Sequence, residues 1–279
     1  MESDRYPTDL KDEEWALIAG LFTKSEKRGK KPDNDMRRIV DGCFHLLRGG
    51  IAWRMMPHAL PPWKEVYHYL DEWRKNGKRE RMNQVLREQY RTASGRKSQP
   101  AAAVIDSQSV KTTESGGPRG YDGGKKVSGR KRQILVDTEG TILKVRVHPG
   151  DLHDKVGGML LLTCLHLLFP RIELVWADTH YQGLKAWMEE NLGWTLQIAK
   201  HWWTGVQGFW VRPGQEPPKI PAGFHVLPRR WVVERTFAWL GRYRRLSKDY
   251  ERLPETEEIF IYMAMSRILI KRLAKLATS

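Results

Sequence analysis

The stretch AAAVIDSQSVK, residues 101–111, decides the fold, because an apolar run ends there in a single carboxylate. Ala101 to Ile105 is typical of a short buried strand, and Asp106 follows it directly. A second apolar run, Ile172 to Ala177, ends in Asp178 in the same way. Strand ends gather ligand and catalytic groups in α/β sheets, so both aspartates are candidates for a functional site.

The pattern around these two runs alternates between strands and helices. Further strands are predicted at 133–137, 142–148 and 195–199, and helices at 155–169, 183–191, 229–245 and 255–275. This order predicts an α/β fold in which a mixed five-stranded sheet is flanked by helices. A Gly/Pro/Trp-rich insertion fills about 201–228. Its aromatic residues either stack on unpaired bases or form a small core of their own, and they are Trp202, Trp203, Phe209 and Trp210.

The first 92 residues carry a helical pattern instead. Ile39, Val40, Cys43 and Leu47 follow the i, i+3, i+4 spacing of an amphipathic helix, and Gly49-Gly50 ends it. Three successive helices with basic side chains predict an all-α N-terminal domain, residues 1–92, that binds DNA like a helix-turn-helix. A plain helical bundle with a basic surface is the alternative. Residues 93–279 then form the α/β domain, with the insertion inside it.

The composition favours a polyanionic partner. The net charge is +15 and the isoelectric point about 9.8, and nucleic acid is the commonest polyanion that basic proteins bind. The sequence has neither an apolar run of about 18 residues, as a membrane span needs, nor a signal-peptide pattern at its start. Cys43 and Cys164 lie in apolar patterns and do not suggest a disulfide framework. We therefore expect a cytoplasmic protein.

A third carboxylate, Glu234, lies on an arginine-rich helix near the end of the chain. Each acid has an ordinary alternative role, as a turn residue, a helix cap or half of a surface ion pair. Two strand-end aspartates with a later glutamate in a basic chain nevertheless suit Mg²⁺, which prefers oxygen ligands. Asp137 opens a hairpin turn and is interpreted as a turn residue.

Two functions other than that of a metal-dependent nuclease remain open. A different metal-dependent hydrolase would use histidines and aspartates near strand ends, and the candidates are His148, His153, His180, Asp151 and Asp154. A non-catalytic, sequence-specific DNA-binding protein would also explain the charge. Metal-dependent cleavage of DNA distinguishes this second alternative, since a regulator would leave bound DNA intact.

At these residues the chain resembles bacterial insertion-sequence transposases of the Asp-Asp-Glu class, in particular insertion-sequence family five. The resemblance spans nearly the whole chain. The motifs that carry it are DEEW at 12–15, WRMMP at 53–57, IDSQSVK at 105–111, GRKR at 129–132, Ala177-Asp178, and RWVVERTFAWL at 230–240. The last is the most specific.

The resemblance implies an RNase H-like catalytic domain whose metal-binding triad is Asp106, Asp178 and Glu234. It implies two Mg²⁺ ions, with Mn²⁺ as a substitute, which act in strand cleavage at element ends and in transfer of the 3′-hydroxyl into target DNA. The expected partners are double-stranded terminal repeats and target DNA, bound by a homodimer or a larger assembly. Expected DNA contacts are Lys125, Lys126, Arg130, Lys131, Arg132, Arg230, Arg235 and Arg242.

The chain departs from the wider group's Tyr-Arg-Glu-Lys signature at two positions. Arg230 matches the arginine, but Leu227 stands at the tyrosine position and Gly241 at the lysine position, with Arg242 next. The DNA-end contacts of that tyrosine and lysine therefore do not carry over to this sequence.

Overall fold

The computed structural model of the chain describes residues 5–22, 35–200, 211, 214–216 and 230–277. Most of the predicted insertion at 201–228, including Trp202, Trp203, Phe209 and Trp210, lies outside the described residues, and so does Leu227.

A mixed sheet of six strands forms the centre of the described chain. The strands are β1 Ala102–Lys111, β2 Gly120–Asp122, β3 Val127–Asp137, β4 Ile142–Pro149, β5 Leu174–Ala177 and β6 Thr195–Ile198. Their order is β2-β3-β1-β5-β6, and β4 also pairs with β3. β1, β5 and β6 are parallel, whereas β2, β3 and β4 join the sheet antiparallel. The predicted α/β fold with a mixed sheet is confirmed.

The sequence predicted five strands, and the additional one is the short β2. β1 and β3 pair from Ala103 opposite Asp137 as far as Lys111 opposite Gly129, so both strands extend well beyond their apolar cores. β2 pairs with the basic start of β3, and β4 continues along the same edge. The glycine-rich stretch after Lys111 therefore contains part of the sheet.

Helices flank the sheet and form the N-terminal region. They are α1 Asp12–Ala16, α2 Met36–Gly49, α3 Trp63–Lys75, α4 Lys78–Ala93, α5 Asp154–Leu162, α6 Leu165–Leu168, α7 Lys185–Leu192, α8 Trp231–Leu240 and α9 Pro254–Ala277. The carboxylate of Asp35 caps α2 by accepting from the Arg37 amide, and Gly50 ends it with a φ of +69°. The single helix predicted over 155–169 is divided at Cys164, whose φ is +59°.

The long helix α9 organises the larger of two hydrophobic cores. Every residue from Ile259 to Met265 is buried, because α1, α2, α3, α4 and β4 surround this part of the helix. The same core contains Val104 and Val136 from the sheet together with apolar residues of α2 to α4. The predicted boundary at residues 92 and 93 therefore does not separate two hydrophobic cores. The second core packs α5 and α7 on the opposite face of the sheet.

The N-terminal helices differ from the predicted helix-turn-helix in one respect. Residues 50–62 connect α2 to α3, whereas the turn of that motif takes about three or four residues. A short connection, Asn76 and Gly77, instead joins α3 to α4. DNA binding by this region stays a prediction. Within the described residues, the structure contains no helix that is both long and apolar enough to span a membrane.

Candidate active site

Two neighbouring parallel strands bring Asp106 and Asp178 to equivalent positions. Val104 of β1 lies opposite Trp176 of β5, and each aspartate comes two residues later in its own strand direction. Two apolar runs therefore deliver two carboxylates to one edge of the sheet. The structure brings together these two residues, which the sequence had marked separately.

The third acid, Glu234, lies in the first turn of α8. This helix is anchored on the turn between β3 and β4, where the buried hydroxyl of Thr236 donates to the Gly140 carbonyl at 2.8 Å. Arg235 donates to the carbonyl of Glu139 on the same turn at 2.9 Å. With the buried face of α8 fixed in this way, the half-exposed carboxylate of Glu234 faces a cleft that it shares with both aspartates.

This catalytic cleft has a volume of about 620 Å³ and carries charges of both signs. Its acids are Asp106, Asp122, Asp154, Asp178 and Glu234, and its basic side chains are Lys125, Lys131 and Arg230. A cleft with this charge distribution suits a cation and a phosphate group bound next to each other.

Burial raises the pKa of Asp106 to about 6, and the negative charge of Asp178 contributes to the rise. The Ser107 amide, which donates to Asp106 Oδ1 at 2.7 Å, opposes this shift, as do Arg230 and Lys125. Asp178 is held by its own turn, since Oδ1 accepts from the His180 amide at 2.9 Å. A cation bound nearby would therefore favour the ionised form of Asp106.

Arg230 supplies a cation within this group of acids. Its Nη2 lies 3.9 Å from Oδ2 of Asp178, and its Nε lies 3.5 Å from Oε1 of Glu234. The guanidinium therefore lies between two members of the predicted triad.

The chemistry of these side chains fits a hard divalent cation, because the donors are carboxylates and one of them is desolvated. Among the described residues, however, no three His, Cys, Asp or Glu side chains lie close enough to hold an ion as they stand. Because Arg230 lies between Asp178 and Glu234, these carboxylates must approach each other, and the guanidinium must move, for both to bind one ion.

Asp154, which the sequence had linked only to a histidine site, lies in the same cleft. It occupies the first turn of α5, where its Oδ1 accepts from the Ser107 hydroxyl at 2.9 Å and lies 3.3 Å from Lys131 Nζ. An acid in the first turn of a helix that begins a few residues after a strand is the sequence signal for such a position. Ser107 and Asp122 also line the cleft, and neither had been predicted from the sequence as a site residue.

The histidine-based alternative gains no support from this geometry. His148 is buried, and both ring nitrogens lie 2.9 Å from neighbouring oxygens, those of the Pro149 carbonyl and the Gln133 side chain. His153 and His180 line the cleft, but they do not form a three-ligand cluster with other described residues. Asp137 is the predicted turn residue, since its Oδ1 accepts from the amides of Glu139 and Thr141.

The structure corrects two of the expected DNA contacts. Arg130 is fully buried and pairs with Asp249 at 2.7 Å, and Arg132 is buried against the carboxylate of Glu257. Both arginines also donate to backbone carbonyls of residues after α8. β3 is buried on both faces from Gly129 to Asp137, so these guanidiniums join the sheet to the C-terminal segment and do not reach DNA.

The other expected DNA contacts have different surroundings. Lys125 lines the cleft, where its ammonium group donates to the Ser107 carbonyl at 2.9 Å, and Lys126 is exposed on the turn between β2 and β3. Arg235 is held between the rings of Trp231 and Trp239, at 4.3 and 4.6 Å from their centres. Arg242 is exposed beyond the end of α8 and does not line the catalytic cleft.

Two family models match the chain and together cover both of its regions. Residues 97–269 match the family described as the transposase DDE domain, and residues 10–83 match a transposase family described as IS4/5. No curated protein and no solved structure matches the chain.

Proposed function

The chain belongs to the transposase DDE-domain family, and we propose that it cleaves DNA at the ends of a mobile element and joins the freed 3′-hydroxyl to target DNA. Membership of this family implies a DNA substrate and dependence on a divalent metal ion. The observation that carries the proposal is the equivalent register of Asp106 and Asp178, with Glu234 in the same cleft.

In this proposal Asp106, Asp178 and Glu234 hold two Mg²⁺ ions, for which Mn²⁺ can substitute. Ions held by these three side chains would supply polarisation of the phosphoryl group and would help to deprotonate the attacking hydroxyl group. The desolvated Asp106 favours a cation nearby, because a positive charge offsets the cost of keeping its carboxylate ionised.

The basic side chains of the cleft orient the DNA strand. Arg230 contacts the phosphate that is to be cleaved once the carboxylates are neutralised by other cations, since its guanidinium already lies in the cleft. Lys125 and Lys126 contact neighbouring phosphates from the turn between β2 and β3. These contacts determine the position of the strand and do not read its sequence.

Two in-line displacements account for the reaction. Water attacks the phosphorus at the element end, the bond from phosphorus to the 3′-oxygen breaks, and that oxygen leaves as a 3′-hydroxyl. The freed hydroxyl then attacks a phosphorus of the target strand, so a new P–O bond forms while the target's own 3′-hydroxyl is released. Neither step needs an oxidant, a reductant or a covalent bond to the protein.

The decisive test compares wild type with Asp178→Asn on DNA that carries one element end, in the presence of Mg²⁺. We expect the variant to bind this DNA but not to cleave it, because the amide keeps the size of the side chain and loses its charge. Asp12→Asn, which removes an exposed carboxylate of α1, is the matched control and should cleave normally. Equal cleavage by Asp178→Asn would remove this residue from the triad.

Binding without cleavage by the wild type, whatever ion is added, would instead favour the DNA-binding regulator.

Because both ends of an element must be processed together, we also propose a homodimer or larger assembly on DNA. Light scattering with and without terminal DNA tests this assembly, and an unchanged monomer mass would contradict it.

A further inference from the structure

A second cleft, of about 500 Å³, lies where α2, the end of α8 and α9 meet. Arg48 reaches it from α2, Arg242 from the segment after α8, and α9 adds its own basic side chains, Arg267, Lys271 and Arg272. No described carboxylate lines it, whereas the catalytic cleft has five. We call it the basic cleft.

Most of these cations have no counter-charge nearby. Arg267 is paired with Glu14 at 2.8 Å. In the part of the chain that the structure describes, Arg48, Arg242, Lys271 and Arg272 make no ion pair with a carboxylate. Four unpaired cations around one concave surface produce a strongly positive potential there.

The neighbouring positive charges disfavour the charged form of Lys271. Burial is the main cause that lowers the pKa of its ammonium group, and the charges of Arg267 and Arg48 lower it further, while Glu14 opposes them. A bound anion would relieve this repulsion, since it adds the counter-charge that the lining lacks.

Aromatic rings hold two of the guanidiniums in place. Arg272 lies over Trp239 at 4.1 Å from the ring centre and over Tyr90 at 5.4 Å. Arg48 lies over Tyr243 at 5.6 Å and donates to the Arg242 carbonyl. Trp239 also carries Arg235 at 4.6 Å, so its ring serves as a platform for cations and is not free to stack on a base. The cleft is therefore suited to phosphate groups.

We propose that the basic cleft binds the phosphodiester backbone of duplex DNA, without regard to sequence, as a site separate from the catalytic cleft. The proposal rests on the proposed function in that DNA is the substrate. Helix α8 links the two sites, because Glu234 lines one and Trp239 the other, only five residues or about 7.5 Å along the helix axis. One DNA molecule is then held on both sides of α8.

The test uses Arg242 and Lys271, two exposed residues whose charged side-chain groups form no hydrogen bond with a described residue. The full chain, free of divalent ions, is titrated with a labelled DNA duplex of arbitrary sequence at about 50 to 200 mM salt. The double variant Arg242→Gln/Lys271→Gln should reduce the slope of log K against log salt by about 2, and should weaken binding on the order of 10-fold or more at the lower salt. Duplexes of different sequence should be affected equally.

Two controls accompany this variant. Lys97→Gln/Lys185→Gln removes two exposed lysines that line neither cleft, so it matches the loss of charge and should leave the slope unchanged. Arg242→Lys/Lys271→Arg keeps both charges in the basic cleft and should restore wild-type binding. An unchanged slope in the glutamine variant, or an equal drop in the lysine control, overturns the basic cleft as a DNA site.

Cleavage assays on the same proteins separate this proposal from the proposed function. Wild-type cleavage together with an unchanged slope would reject only the basic cleft. A reduced slope in the glutamine variant, without cleavage by the wild type in any metal ion, would reject the transposase chemistry and leave the basic cleft supported as a binding site.

Discussion

Arg230 lies one helical turn before Glu234, and its Nε is 3.5 Å from Oε1 of that glutamate. The same guanidinium lies 3.9 Å from Asp178, so it places a positive charge between two acids that the proposed function assigns to metal ions. The arginine and a divalent cation therefore compete for the same carboxylates. When metal ions occupy them, the guanidinium is free to contact a phosphate.

This competition predicts opposite effects of Arg230→Gln on metal binding and on catalysis. We expect the DNA-free variant to bind Mn²⁺ on the order of 5-fold more tightly, as loss of a partly exposed ion pair of about 1 kcal/mol would allow. DNA cleavage should fall, because a phosphate contact is lost. Calorimetric titration with Mn²⁺ measures the first effect, and Arg235→Gln, whose side chain lies between two tryptophans, should leave the affinity unchanged. Weaker Mn²⁺ binding by Arg230→Gln would contradict the competition.

Two adjacent glycines provide a matched test of packing near the buried Arg130. Both adopt a positive φ, +76° at Gly116 and +86° at Gly117. A Cβ at Gly117 would lie 1.9 Å from the Arg252 carbonyl oxygen, whereas one at Gly116 would meet nothing within 4 Å. We expect Gly116→Ala to cost about 1 kcal/mol from backbone strain alone, and Gly117→Ala at least about 2 kcal/mol more. Urea unfolding measures both, and equal losses would exclude the close contact.

The pKa of Glu258 leads to a prediction of how the free energy of unfolding changes with pH. Burial raises its pKa to about 7, although it accepts from the Val147 amide at 2.9 Å and lies 3.7 Å from Arg146. The pKa of Glu258 is higher in the folded than in the unfolded state. Its contribution to the free energy of unfolding is therefore fully present below about pH 4.5 and is lost as pH rises to about 7. Glu258→Gln keeps the acceptor oxygen and should remove as much as about 3 kcal/mol of this dependence. The measurement is the free energy of unfolding from pH 4 to 8, and parallel curves for both proteins would refute it.

Arg79 is a cation in the N-terminal core that forms no ion pair with a carboxylate of the described residues. Its side chain is buried and lies 3.9 Å from the centre of the Trp73 ring, and Nε and Nη1 find no hydrogen-bonding partner among the described residues. Burial lowers the pKa of its guanidinium to about 10. Arg79→Met fills the space without a charge, and we expect it to raise the free energy of unfolding by about 1–3 kcal/mol. Arg79→Lys keeps the charge, loses the planar stacking, and should destabilise the protein in the same denaturation assay.

Local patterns in the sequence predicted the fold class and marked two members of the candidate triad. A short apolar run that ends in an acid is a local signal, and Asp106 and Asp178 each follow one. That their strands are adjacent and parallel depends on pairing between distant segments, which no local pattern contains. The resemblance to a known family supplied this information, and it also marked Glu234.

The burial of the two arginines in β3 was not predictable from local patterns in the sequence. A basic strand next to a glycine-rich loop is usually exposed, but Arg130 and Arg132 meet carboxylates more than a hundred positions later in the chain. Their burial is possible only because Asp249 and Glu257 are buried with them. The charge of a segment and the spacing of its apolar residues do not distinguish an arginine that binds phosphate from an arginine that pairs with a distant buried carboxylate.

The packing of α1 to α4 on α9 has a consequence for the order in which the protein forms during its synthesis. The helices that are made first complete their core on one of the last segments to be translated. At about 5–20 residues per second, the roughly 160 residues between α4 and α9 take on the order of 8–32 s to be made. During that interval the apolar faces of α2 and α4 lack their final partner on the ribosome, and a chain cut short before α9 cannot finish folding.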